Sequence, residues 1–130
     1  MKVFADTGFY VARMNPRDQW HRKALKAVRP DVEVYTTSLV INETISLVQS
    51  RGYFSTAVEF LRETRANPRL RIIHPDSDLQ AQAWDLFVRW GGSGANAVDC
   101  LSFAAMQRFS IRRALTFDAH FKIAGFDVLT

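Results

Sequence analysis

The feature that most limits what this chain can fold into is its rhythm. Short apolar, β-branched segments recur between longer amphipathic ones. Lys2–Ala5, Val32–Thr36, Leu70–Ile73 and Ala114–Phe117 read as strands, and Asp127–Leu129 as an additional edge strand. Thr7–Arg13 reads as a helix that stops before the breaker pair Asn15-Pro16. Asp18 is placed to cap a second helix to about Val28, and Ser38 a third to about Ser50, closed by Arg51-Gly52. Helices are also expected over Tyr53–Ala66, from Asp76 to about Trp90, over Ala97–Phe109 behind an Asn96 cap, and over His120–Ala124. Strands separated by helices need right-handed crossovers. They therefore build an α/β fold, with a central, mostly parallel sheet of four to five strands covered on both faces.

Composition sets the remaining bounds. The 130 residues, 48% of them hydrophobic, suit a single domain spanning residues 1–130 with its own core. Cys100 is the only cysteine, which excludes an intrachain disulfide and suits a reducing, cytoplasmic setting. The N-terminal stretch meets an acid at position 6, so it does not read as a signal peptide. No apolar run approaches the ~20 residues that span a bilayer, so no membrane association is expected. Formal net charge is +4, from 17 Lys and Arg against 13 Asp and Glu. A basic body of this kind suits a polyanion such as RNA.

In parallel α/β sheets the functional crevice lies beyond the carboxyl ends of the strands. Four acids fall there. Asp6 directly follows the first strand, and Asp118 follows the fourth. Asp99 lies in the first turn of the helix behind Asn96. Glu43 lies early in the helix after the second strand. Carboxylates brought together repel one another unless a cation or protons intervene. Magnesium, or manganese, is the cation that oxygen donors of this kind hold. Such an ion can activate water and neutralise charge on a phosphodiester.

Each acid also has a structural reading. Asp6 and Asp118 are suitable N-caps, and Asn96-x-x-Asp99 has the form of a capping box. Glu43 lies beyond capping reach, on the polar arc of its helix, where a solvated surface role is the alternative. Thr7 and Thr116 flank two of the acids and can orient carboxylates or pack with satisfied hydroxyls. His21, His74 and His120 show no zinc-ligand spacing with one another or with Cys100. Cys100 reads as a core residue, and Trp20, Trp84 and Trp90 as core or interface. The arginines at 62, 65, 69, 71, 108, 112 and 113 can follow phosphates or simply be solvated. Gly91–Gly94 lacks the lysine of a phosphate-binding loop.

Three segments carry a resemblance. VFADTGFYVARMNPRDQWH, TTSLVINETISLV and VDCLSFAAMQRFSIRRALTFDAHFKIAGFDVL resemble the corresponding parts of PIN-domain proteins, especially the VapC toxins of prokaryotic toxin–antitoxin pairs. The match is weakest over about Tyr53–Arg89. The resemblance implies a three-layer α/β/α, Rossmann-like fold. It implies a catalytic and metal-binding site at Asp6, Glu43, Asp99 and Asp118, supported by Thr7, Asn96 and Thr116. It also implies Mg2+ or Mn2+ as cofactor, and cleavage of RNA, with transfer or ribosomal RNA as targets, leaving 5′-phosphate ends. The implied partners are a VapB-like antitoxin and a second copy of the chain in a homodimer. This sequence departs from the pattern at Gly8, where relatives often have Ser, and at Val98, where they often have Thr. Two other readings accompany the endoribonuclease: a PIN-like fold that binds RNA or a partner without cutting, and a housekeeping RNA-processing or DNA-acting nuclease.

Overall fold

The computed structural model describes all 130 residues. The strands are β1 (Lys2–Ala5), β2 (Glu33–Thr37), β3 (Leu70–Ile73), β4 (Arg113–Leu115) and β5 (Asp127–Val128). The helices are α1 (Thr7–Met14), α2 (His21–Ala27), α3 (Ser38–Ser50), α4 (Phe54–Ala66), α5 (Ser77–Trp90), α6 (Ala97–Arg108) and α7 (Ala119–Ile123). A single 3-10 turn, Gly91–Ser93, joins α5 to α6.

All strand pairs are parallel, in the order β3-β2-β1-β4-β5. Going from β1 to β2 to β3 the chain moves one way across the sheet. It then returns past β1 and continues from β4 to β5. With right-handed crossovers, the reversal places α1 to α4 on one face and α5 to α7 on the other. The helix contacts agree: α1 packs on α2 and α3, and α3 on α4, while α6 packs on α5 and α7. The result is the expected three-layer α/β/α fold.

Beyond their first residues, β1 and β4 are sealed. Val3, Phe4, Ala5, Ala114 and Leu115 are fully buried, as are Phe9, Phe103, Met106 and Phe121 above and below them. Side chains of this size stabilise the fold by roughly 1.5–3 kcal/mol each when withdrawn from water. Phe121 packs edge-on against Phe103, with ring centroids 5.0 Å apart, and lies 6.4 Å from Phe4. No helix is long and apolar enough to cross a membrane.

Several boundaries move from their expected places. β2 runs one residue further, so Thr37 rather than Ser38 caps α3, its hydroxyl accepting from the Val40 amide at 3.2 Å. α2 begins at His21, because Asp18 spends its carboxylate on the Trp20 amide at 2.8 Å in a local turn. β4 ends at Leu115, which leaves Thr116 and Phe117 as a short bridge to Asp118.

Candidate metal centre

The sheet reverses its strand order between β1 and β4, and the candidate site opens at their carboxyl ends. Asp6 leaves β1 as the N-cap of α1: its Oδ1 accepts from the Phe9 amide at 2.9 Å. Its Oδ2 accepts from the Thr116 hydroxyl at 2.5 Å, across the β1–β4 seam. The same hydroxyl accepts from the Asp118 amide at 3.0 Å. Thr116 therefore joins two of the acids, and the Thr130 hydroxyl donates to its carbonyl. Asp6 is 6% exposed. Burial, with Asp118 and Asp99 adding like charge, pushes its carboxyl up to about 7 even though Thr116 and the Phe9 amide pull the other way.

Asp99 sits in the first turn of α6 within a complete capping box. Asn96 Oδ1 accepts from the Asp99 amide at 2.9 Å, and Asp99 Oδ2 accepts from the Asn96 amide at 3.0 Å. Burial raises its carboxyl to about 6, and Asp118 and Glu43 push in the same direction. Glu43, half-buried in the second turn of α3, is thus felt at Asp99 from the opposite layer. Asp118 caps α7, accepting from the His120 amide at 2.9 Å. Of the four acids named from sequence, Asp6, Asp99 and Asp118 lie close enough to repel one another, and Glu43 acts on Asp99. Three of them also serve as the caps that the structural reading offered, so the two readings coexist.

Thr7 is half-buried at the start of α1, and its hydroxyl is buried without a partner. Gly8 has room for a larger residue, as a Cβ there would meet Asp6 Oδ1 at an ordinary 3.8 Å. Val98 packs its side chain against the core, while the Asn96–Asp99 capping box secures the helix start. Trp20 lies parallel to Phe117 at 5.2 Å, so it holds the bridge between Thr116 and Asp118 in place. Cys100 is buried, as expected of a core residue.

His120 was not singled out by sequence spacing, yet it stands at this rim. One of its ring nitrogens and single carboxylate oxygens of Asp99 and Asp118 lie within 4.8 Å of one another. Nδ1 is 2.6 Å from Asp118 Oδ1, and Nε2 is 2.9 Å from the Ser93 carbonyl. Both partners are acceptors, an arrangement that favours the protonated ring. Those two contacts raise its pKa. A ring engaged at both nitrogens ties Asp118 to the Ser93 carbonyl and so braces the site. The Asp118–His120 spacing at a helix start was the available signal, but the Ser93 contact, 27 residues away, was not legible.

Of the arginines noted from sequence, three have partners. Arg69 donates to the Pro30 carbonyl, Arg71 pairs with Glu33 and Arg108 with Asp76. Arg62, Arg65, Arg112 and Arg113 are exposed.

A parallel sheet with this strand order, and acids gathered at its switch point, defines the class. The family model described as "PIN domain" matches residues 3–127, and the chain belongs to the PIN-domain family. Within it, the chain is similar to the 23S rRNA-specific endonuclease VapC20 of Mycobacterium tuberculosis, with 36% identity over 126 residues and 95% of each chain covered. The crystal structure of that protein, described as a sarcin–ricin loop cleaving toxin, superposes with a TM-score of 0.85 over 95% of each chain. FitAcB from Neisseria gonorrhoeae shares the fold at 17% identity, with a TM-score of 0.69 and coverage of 98% of this chain and 96% of that one.

Proposed function

We propose that this chain is a VapC-like endoribonuclease, a hydrolase of RNA phosphodiester bonds that uses Mg2+ or Mn2+ held by Asp6, Glu43, Asp99 and Asp118, with residues 1–130 acting as one domain. The observation that carries this reading is the electrostatic cost of the site. Separate elements deliver acids to one rim, and two carboxyls sit well above their ordinary range, at about 7 and about 6. Desolvated like charges are offset by protons or by a cation, and shifts of this kind cluster where a fold does chemistry. The donors fit a hard divalent ion: they are carboxylate oxygens, and the buried Thr7 hydroxyl beside Asp6 has no protein partner. Bound there, the ion supplies Lewis acidity toward the phosphodiester and toward water.

The chain's own residues do the positioning. Thr116 fixes the orientation of Asp6 and the backbone of Asp118, and Asn96 fixes Asp99. Their supports leave lone pairs on the carboxylate oxygens for an ion. The basic excess of the chain as a whole supplies a sequence-independent attraction for the polyanion. Ribosomal RNA is the favoured substrate class, supported by the likeness to VapC20. A VapB-like antitoxin, a homodimer and a cytoplasmic setting complete the reading by family resemblance.

The non-cutting alternative drew on Val98, but Asp99 keeps its capping geometry without a hydroxyl at that position. Asp6→Asn separates cutter from binder. The variant should bind RNA while losing at least a hundredfold in cleavage rate, on the order expected for loss of a metal ligand. Cleavage retained within a fewfold would eliminate Asp6 as a ligand. Expression with and without the antitoxin addresses the toxin assignment, since a housekeeping nuclease should not arrest growth when alone.

A further inference from the structure

Asp99 and Asp118 repel each other, yet a chain of contacts links them. From Asp118, the path runs through Oδ1 to His120 Nδ1 at 2.6 Å, then from Nε2 to the Ser93 carbonyl at 2.9 Å. The chain then leads through Gly94 and the buried Ala95 to Asn96, whose amide donates to Asp99 Oδ2 at 3.0 Å. Gly94 is shaped for this contact. Its φ is +104°, and a Cβ there would stand 2.9 Å from His120 Nε2. The turn is further tied by Ser93 Oγ donating to the Trp90 carbonyl and by the Gly94 amide donating to that of Gly91.

We propose that His120 is a positioning residue. Its ring clasps the Gly91–Gly94 turn to Asp118, and so sets the separation of Asp118 from Asp99 and the affinity of the site for a divalent cation. The inference rests on the metal-dependent reading above. It assigns His120 no contact with the ion. It also explains why the α5–α6 turn carries glycine where it passes the ring.

The test is calorimetric titration of the purified full chain with manganese, using wild type, His120→Ala, Gly94→Ala and the double variant. His120→Ala should weaken manganese binding by about ten- to a hundredfold, the range for groups that orient metal ligands. Gly94→Ala should weaken it in the wild-type background and add little in the His120→Ala background. Backbone strain at position 94 is common to both, so the cycle removes it. A role confined to stability would leave affinity unchanged in every variant that folds. If His120→Ala folds poorly, His120→Gln, which keeps one donor, should show a smaller loss in the same direction. Manganese affinity within twofold of wild type in the His120 variant, or an equal Gly94→Ala loss in both backgrounds, overturns the inference and leaves the nuclease reading intact. No manganese binding by wild type overturns both.

Discussion

At the scale of single residues, the site is a compromise between stability and chemistry. Asp6 is buried with one hydroxyl and one amide as donors, which is too little to hold its charge at the usual carboxylate value. The pH dependence follows from linkage. Between the ordinary value of 3.8 and about 7, the folded protein binds the Asp6 proton more tightly than the unfolded chain does. The contribution of Asp6 therefore lowers stability as pH rises through that window, with the full penalty present above about 7. Asp99 acts in the same sense up to about 6. Asp6→Asn, which keeps a cap at α1, should thus stabilise the metal-free protein at pH 8 by about 1–2 kcal/mol and by distinctly less at pH 5, where only the lower part of the window has been crossed. Urea unfolding at the two pH values measures this, and equal effects at both would count against a desolvated charge at position 6. Asp6, Asp99 and Asp118 were legible in sequence because each follows a strand or opens a helix, where local rules apply. His120 was not, because its role arises from a turn distant in sequence.

At the scale of elements, caps place the candidate site acids. The β1–α1, α6 and β4–α7 starts each use a carboxylate or amide cap, and the same side chains face the common rim. The rhythm of apolar and amphipathic segments was enough to find every strand and helix. It erred by one to three residues where a polar side chain had two local uses, as at Asp18 and Thr37. Asn96 offers a test at this scale. Asn96→Ala should cost about 1 kcal/mol of stability through the lost cap. It should also weaken metal binding, because without the Asn96 side chain the first turn that carries Asp99 frays, although the Asn96 backbone amide that holds the Asp99 carboxylate is kept. Thermal unfolding with and without manganese reports both. A stability loss with unchanged manganese stabilisation would make Asn96 a cap and nothing more.

At the scale of the molecule, strand order converts scattered acids into a site. The seam between β1 and β4 brings Asp6 within reach of Thr116, 110 residues away. Parallel pairing was legible from the alternation of elements, whereas which strands would be neighbours was not, because pairing depends on packing across the whole sheet. The charge balance also belongs to this scale. With the four site acids set aside, 17 basic residues face 9 acidic ones across the rest of the chain. RNA affinity of the Asp99→Asn protein should therefore fall steeply, by roughly tenfold or more, between 50 and 200 mM salt. Filter binding measures it, and a flat salt response would remove the arginines from the substrate surface.

The account's central claim is that these carboxylates hold a divalent ion that cuts RNA. Incubation of the purified protein with end-labelled ribosomal RNA in magnesium, in manganese and in EDTA, beside Asp99→Asn, tests it most directly. Discrete fragments with 5′-phosphate ends should form with either metal and be absent with EDTA and with Asp99→Asn. Intact RNA from a folded, antitoxin-free protein in both metals, or equal cleavage by Asp99→Asn, would contradict it.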